Sequence, residues 1–172
     1  MFTLEIFETF ARYNRWMNEK LFAICAGMSD EERKRDLGAP FHSIHGTFNH
    51  LLLVDRLWLG RFKNEEFHIK TLADELYGDF DELRREQNKT DNAIDAWLAT
   101  LHESDLAGAF TFHSRSRDQD NTFLLASVML HFFNHQTHHR GQITAMIEML
   151  GYDCGVTDLL WLPGLEKEAS WE

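Results

Sequence analysis

The sequence predicts an all-α protein, a four-helix bundle with one long crossover connection and a C-terminal tail packed on the bundle. Apolar side chains recur at spacings of three and four residues over long stretches, which is the periodicity of helices that bury one face. The 172 residues include only two prolines and ten glycines, so few positions interrupt a helix. A chain of this length, without internal repeats or a change of composition, is expected to form one domain, residues 1–172.

The first two long helices are marked by their apolar faces and by the residues at their ends. Residues 3–25 carry an apolar face interrupted only by Asn14, and Gly27 follows as a stop signal. Ser29 begins a sequence typical of a capping box, which predicts a short helical turn. The second long helix is expected to begin near Ser43 and to run for about five turns.

The third and fourth long helices flank a stretch without helical periodicity. The third follows a three-four alternation of apolar residues from Phe80 to Leu101. Residues 104–121 predict a short extended segment or hairpin, and residues 122–150 predict the fourth helix, with Gly151 as its C-cap. The predicted core stripe of the fourth helix consists of Leu125, Val128, Phe132, His135, His139, Gln142, Met146 and Met149. The tail residues expected to pack back on the bundle are Leu159, Leu160, Trp161 and Leu162.

Charge and cysteine content exclude some classes of function. The formal net charge is −11, from 17 basic and 28 acidic residues, so we expect no binding to nucleic acid. No apolar run is long enough to cross a bilayer, and no leader pattern opens the chain, so we expect no membrane partner. Two cysteines fit a reducing, cytoplasmic setting, with Cys25 as a small core side chain.

Two histidines occupy consecutive positions on the core stripe of the fourth helix. His135 and His139 are four residues apart, so their side chains share one face of the helix and can reach a common ion. In a chain with ten histidines such a pair also arises by chance, and a carbonyl or an aspartate can satisfy a core histidine. A metal ion would satisfy two buried imidazoles at once and keep them neutral.

His50, on the predicted inner face of the second long helix, is the third candidate ligand. Weaker candidates near the start of that helix are His42 and His45. Expected surface or outer residues are His131 and His138, and residues without an assigned role are His68, His102 and His113. Candidate outer partners of the ligands are Asp55, Arg56 and Asp158. Arg140 could mark an anion site, but a place at the helix surface or beside a carboxylate that it orients is favoured, and for all four a structural role is favoured over a catalytic one. Asn14 and Gln142 are polar on apolar stripes and could line the site or form simple core hydrogen bonds.

Three segments carry a resemblance to a known family. The segment SIHGTFNH at residues 43–50, followed by DRLW at 55–58, resembles the second-helix signature of the DinB family. The segment NHQTHHRGQ at 134–142 resembles its fourth-helix signature, and YNRWMN at 13–18 is similar to its first helix. The resemblance spans nearly the whole chain, and the motifs follow the family order.

The resemblance implies a four-helix bundle of the DinB type, often a homodimer, with a nickel or zinc ion held by three histidines. These map onto His50, His135 and His139. Members of the family use small thiols such as bacillithiol, mycothiol or glutathione, which implies a metal-dependent thiol S-transferase acting on a small electrophile. Aromatic surface for a dimer is expected from Trp16, Trp58, Trp97, Trp161 and Trp171.

Three protein ligands leave at least one coordination position open, which is typical of catalytic sites. The open position could bind the sulfur of a thiol and stabilise its thiolate. Alternatively it could hold a water with a lowered pKa, as in a metal-dependent hydrolase. A third interpretation is a non-catalytic, metal-binding stress-response protein. The sequence does not identify catalytic residues.

Overall fold

Four long helices form most of the structure, a computed structural model that describes residues 2–114 and 118–166. In chain order the helices are α1 (Leu4–Ala26), the short α2 (Asp30–Lys34), α3 (Ile44–Lys63), α4 (Phe80–Leu98) and α5 (Leu125–Met149). A hairpin of two antiparallel strands, β1 (Ala109–Ser114) and β2 (Gln119–Leu124), lies between α4 and α5. The all-helical prediction is confirmed, and so is the hairpin.

The helix ends follow local signals in most places. Ser29 accepts a hydrogen bond from the Glu32 amide in a capping box that opens α2, and Ser43 caps α3. Gly151 has a φ of 85° just after α5, as expected of a left-handed residue beyond a helix. The predicted start of the fourth helix at 122 is wrong, because Thr122 pairs with Thr111 across the hairpin. Aromatic and β-branched residues there favour the strand, and α5 begins only at Leu125.

The four long helices contact one another in a ring, in the order α1, α4, α3, α5. Two apolar clusters fill the two ends of the bundle, the first around Leu21, Phe48 and Ile147 and the second around Phe7, Leu53 and Phe132. Both α3 and α4 begin in the first cluster and end in the second, whereas α1 and α5 run the opposite way. Neighbouring parallel helices need a connection that returns along the bundle, and residues 64–79 between α3 and α4 form this crossover, as predicted.

The tail packs back on the bundle only in part. Leu162 is buried in the first apolar cluster, and Leu159 and Leu165 pack against it. The prediction is wrong for Leu160 and Trp161, which are 75% and 59% exposed. The predicted core stripe of α5 is wrong at Met149, which is 71% exposed, whereas Met146 and Ile147 in the same turn are buried.

Two further expectations concern buried cysteine and membrane insertion. Cys25 is fully buried in the first apolar cluster, so its predicted role as a core side chain is confirmed. Burial raises the pKa of its thiol to about 12. No helix in the described part of the chain is both long and apolar enough to cross a bilayer.

Candidate metal centre

His50 is presented from the second turn of α3. Ser43 caps this helix, since its hydroxyl accepts a hydrogen bond of 3.0 Å from the Gly46 amide. His50 is 4% exposed, and its Nδ1 lies 2.8 Å from the Leu72 carbonyl oxygen in the crossover. A carbonyl only accepts, so Nδ1 carries the proton and Nε2 keeps the lone pair that a metal needs.

Asn49, the neighbour of His50, holds the crossover in place. Its side-chain oxygen accepts hydrogen bonds from the amides of Leu76 and Tyr77, at 2.8 and 2.9 Å. Its nitrogen donates to the Tyr77 carbonyl at 3.0 Å. The crossover that orients His50 is therefore attached to the same helix turn as His50 itself.

Phe41 forms one wall of the site, a role that the periodicity of the sequence does not indicate. Its ring stacks on the His50 ring at 3.7 Å between centroids and 14° between planes, and meets the edge of His139 at 5.5 Å. Phe41 lies in the tight turn before α3, next to His42, whose φ is 64°. An aromatic residue two positions before a helix cap is the only local signal.

His135 and His139 face His50 from α5. Their Nε2 atoms are 3.1 Å apart, and Nδ1 of His139 lies 2.9 Å from the Gln142 side-chain oxygen. That contact assigns the His139 proton to Nδ1 and leaves the Nε2 lone pair facing inward. Of the two roles left open for Gln142, this hydrogen bond favours a place beside the histidine cluster.

The three imidazoles converge on one point. One ligand nitrogen of each histidine lies within 4.8 Å of those of the other two. A tetrahedral ion with bonds of 2.0–2.1 Å places its ligand nitrogens about 3.4 Å apart, close to the separation of the His135 and His139 Nε2 atoms. The buried Nε2 of His50 has no hydrogen-bond partner among the described residues. An unpaired lone pair aimed at two other imidazoles fits a metal ion.

Burial keeps the three imidazoles neutral. It lowers the pKa of His50 to about 4, against the opposing effect of the Leu72 carbonyl. Burial, together with the nearby His139 and His50, lowers the pKa of His135 to about 3. The pKa of His139 is also lowered by burial. Neutral imidazole is the form that binds metal, so none of the three has to lose a proton at neutral pH.

A cleft of about 860 Å³ reaches the cluster. Its walls come from α3, α5, the hairpin and the crossover, and its lining includes His50 and His135 but not His139. We call it the histidine cleft. Its walls are largely apolar and include Val54 and Trp58 of α3 and Phe123 of β2. A small molecule in this cleft would meet the cluster from the side of His50 and His135.

The remaining histidines lie outside the cluster. His45 is 1% exposed, so its expected position at an exposed helix start is wrong, and its Nε2 contacts the Tyr77 carbonyl at 2.9 Å. His131 is exposed but lines the histidine cleft, with its ring 6.3 Å from that of His135. His138 is exposed, but its ring lies 4.8 Å from that of His139, and its Nε2 is 3.3 Å from the Gln142 side-chain nitrogen. The exposed histidines away from the three-histidine cluster are His42, His68, His102 and His113.

The predicted outer partners serve other contacts. Asp55 accepts hydrogen bonds from Gln87 and Gln136 instead of a ligand imidazole. Arg56 pairs with Glu86 at 2.5 Å. Asp55 is hydrogen-bonded to glutamine amides and Arg56 is paired with a carboxylate, instead of with histidines. These two side chains therefore support helix packing.

Arg140 and Asn14 belong to a buried polar layer that the sequence did not predict as a unit. Arg140 is 3% exposed, which excludes the first of its two expected positions, the helix surface, and it donates to the Asn14 side-chain oxygen. Asp158 precedes a 3-10 turn in the tail, and none of the described contacts joins it to the ligand histidines. The members of the layer, drawn from all four long helices, are Asn14, Asn18, Asp55, Gln87, Asp91, Gln136 and Arg140.

The fold and the site define a helical-bundle protein with a buried three-histidine cluster that could hold a metal ion. A sequence model of the DinB family matches residues 1–170, and the chain belongs to this family. The sequence is 27% identical over 159 residues to Protein DinB of Bacillus subtilis (strain 168), covering 85% of this chain and 87% of that protein. The crystal structure of a DinB-like protein from Bacillus cereus ATCC 10987 superposes with a TM-score of 0.59. It shares 18% identity and covers 82% of this chain and 90% of that one, which supports the fold.

Proposed function

We propose that His50, His135 and His139 bind one divalent transition metal ion, zinc or nickel. The observation that carries the proposal is the convergence of three neutral imidazoles around the Nε2 of His50, which has no hydrogen-bond partner in the described part of the chain. Imidazole nitrogens suit both metals, and the hydrogen bonds to Leu72 and Gln142 orient two of the rings as outer partners of ligands do.

We further propose that this centre serves a thiol S-transferase, which joins a small thiol to a small electrophile. A divalent ion with an open position lowers the pKa of a bound thiol and favours the thiolate. The thiol sulfur forms a bond to the electrophilic carbon, the leaving group departs with its electron pair, and the thiol proton passes to a base. The family resemblance supports this reaction, and the apolar cleft beside His50 and His135 offers room for both reactants.

A hydrolase is the second candidate, and the position of His131 favours it. This exposed histidine lines the histidine cleft with its ring 6.3 Å from that of His135, where it could take a proton from an attacking water. Purified protein loaded with zinc or nickel separates the candidates when it is assayed with a panel of thiols and electrophiles, and with esters and amides without thiol. Thiol-dependent turnover supports the transferase, and thiol-independent turnover supports the hydrolase. No turnover with either panel would support the third interpretation, a non-catalytic metal-binding protein.

Metal content tests the ligand assignment. We expect about one equivalent of ion in the wild type, and its loss in His50→Ala, His135→Ala and His139→Ala, because two imidazoles hold an ion weakly. Elemental analysis after loading with zinc or nickel measures this. Chelator should also lower the melting temperature of the wild type, because an ion that binds only the folded state stabilises it by mass action.

The matched controls are His102→Ala and His113→Ala, two exposed histidines that should keep the ion. His135→Ala also leaves a cavity that destabilises the bundle without any metal, so its melting curve is compared with and without chelator. The ligand proposal fails if the wild type cannot be loaded with either metal and melts unchanged after chelation.

A further inference from the structure

The histidine cleft carries positive charge in an acidic protein. Acidic residues number 28 of 172, yet none of the described residues that line the cleft is acidic. Arg61 and Lys70 are both in the lining. The local charge is therefore opposite to the net charge of the chain, which favours an anionic ligand over a cationic one.

Arg61 is held in a defined position at one end of the cleft. Its guanidinium carbon lies 4.5 Å from the centroid of the Trp58 ring and 4.8 Å from that of Phe112. One of its nitrogens donates to the His113 carbonyl at 3.3 Å. Contacts with two aromatic faces and the hairpin reduce the entropy lost when such a side chain orders around a ligand.

His50 and Arg61 bound the cleft along α3. They are eleven residues apart, which is about 16 Å along the helix axis, and Val54 and Trp58 lie between them on the same face. The Arg61 guanidinium packs against Trp58, so the charged end of this row adjoins its apolar middle.

We propose that the histidine cleft binds a small organic acid, with its carboxylate at Arg61, its apolar body along Val54 and Trp58, and its other end at the histidines. This inference deepens the proposed function. It rests on that function in one respect, that the reaction takes place at the end of the ligand that meets the histidines. The substrate class is an amphipathic carboxylate.

Calorimetric titration of the full chain with octanoate, octanamide and octylamine tests the charge preference. The three probes share the apolar chain and differ in the head group. We expect octanoate to bind at least about tenfold more tightly than octanamide, the scale of one charge-assisted hydrogen bond, and octylamine to bind more weakly than either. Equal binding of octanoate and octanamide would overturn the proposal.

Variants of Arg61 locate the carboxylate. Arg61→Gln should weaken octanoate about tenfold and leave octanamide nearly unchanged, whereas Arg61→Lys, which keeps the charge, should retain most of the preference. Arg85→Gln is the matched control, because Arg85 is exposed on α4 and outside the cleft lining. Undiminished octanoate binding by Arg61→Gln, or an equal loss in Arg85→Gln, would contradict the assignment.

The same titrations with metal-loaded and chelator-treated protein separate this inference from the metal proposal. A carboxylate held by Arg61 binds metal-free protein with the same preference over octanamide. Octanoate binding that needs the ion would place the carboxylate at the histidines and overturn the inference. Octanoate binding by a protein that takes up no metal would support the cleft assignment while the metal proposal fails.

Discussion

At the scale of single residues, the buried polar layer concentrates charge in the middle of the bundle. Asp91 is 3% exposed and accepts hydrogen bonds from Asn18 at 3.1 Å and from Gln87 at 3.2 Å. Burial, opposed by these hydrogen bonds, raises the pKa of Asp91 to about 6, and burial beside Asp91 raises the pKa of Asp55 well above its usual value. Burial lowers the pKa of Arg140, the cation of the layer, to about 10.

Asp91→Asn should change how stability depends on pH. The unfolded chain releases the Asp91 proton near 3.8 and the folded protein near 6, so the folded state binds more protons between these values. This contribution to the free energy of unfolding is fully present below about pH 4 and is lost as the pH rises through 6. We expect the free energy of unfolding of the wild type, measured in urea, to fall by on the order of 2 kcal/mol relative to that of Asp91→Asn between pH 4 and pH 7.

The control for this measurement is Asp81→Asn, which removes the same charge from an exposed position on the same helix. The same unfolding series with Asp81→Asn gives the baseline for removing one exposed carboxylate from this helix. A constant difference for Asp91→Asn over the same range would contradict the expected titration.

At the scale of elements, the start of α3 depends on a close approach that needs glycine. A Cβ on Gly46 would fall well inside van der Waals contact with the Phe41 carbonyl oxygen, a backbone atom that no side-chain rotation can move. The amide of Gly46 also donates to the Ser43 cap. The turn that carries Phe41 is thus packed directly against the first turn of α3, and this brings the Phe41 ring onto His50.

Gly46→Ala should destabilise the metal-free protein by about 1–3 kcal/mol, the usual cost of forcing an extra carbon into a packed site. It should also weaken metal binding, because the turn must shift and carry Phe41 away from His50. Urea unfolding after chelation and a zinc titration measure the two effects separately.

Gly141→Ala is the matched control on α5. A Cβ there meets no atom within 4 Å, and the position is exposed, so alanine should stabilise the helix by about 0.5–1 kcal/mol. If Gly46→Ala proved as stable as Gly141→Ala, the close approach of Phe41 would have no structural importance.

At the scale of the whole molecule, the homodimer implied by the family resemblance stays a prediction. The expected aromatic surface is smaller than the sequence indicated, because Trp58 is buried and Trp16 and Trp97 are half-buried. Trp161 is exposed, and Trp171 lies outside the described residues. Other large apolar side chains at the surface, such as Met149 and Leu160, add to the area available for a second copy.

Light scattering on the full chain at micromolar concentration should give twice the mass of one chain. The expectation rests on the resemblance and on exposed apolar side chains, which mark interaction sites when they are contiguous. A monomer under these conditions, with and without zinc, would contradict it. The absence of nucleic-acid binding, expected from the net charge, likewise stays a prediction.

The sequence by itself determined the class of fold, most helix ends and the three histidines of the cluster. These features depend on local information, because a buried helix face repeats every three to four residues and a cap needs only its nearest neighbours. The spacing of His135 and His139 alone predicts that they share a helix face. The prediction that His50 is the third ligand rested on its helix face and on the family motif. The start of α5 was placed three residues early, because pairing of Thr122 with Thr111 depends on a partner strand.

Only the tertiary structure decided what surrounds the cluster. The Leu72 carbonyl that orients His50 lies 22 residues away on the crossover, and the Phe41 ring reaches His50 through a turn without helical periodicity. Asp55, Asp91 and Arg140 come from three helices, and a charged residue is ordinarily expected at the surface unless its partners are known. Partners of this kind are brought together by the packing of helices that are distant in sequence. Local patterns therefore predicted which residues could bind a metal, and the packing of the bundle decided their neighbours and the charge of the cleft beside them.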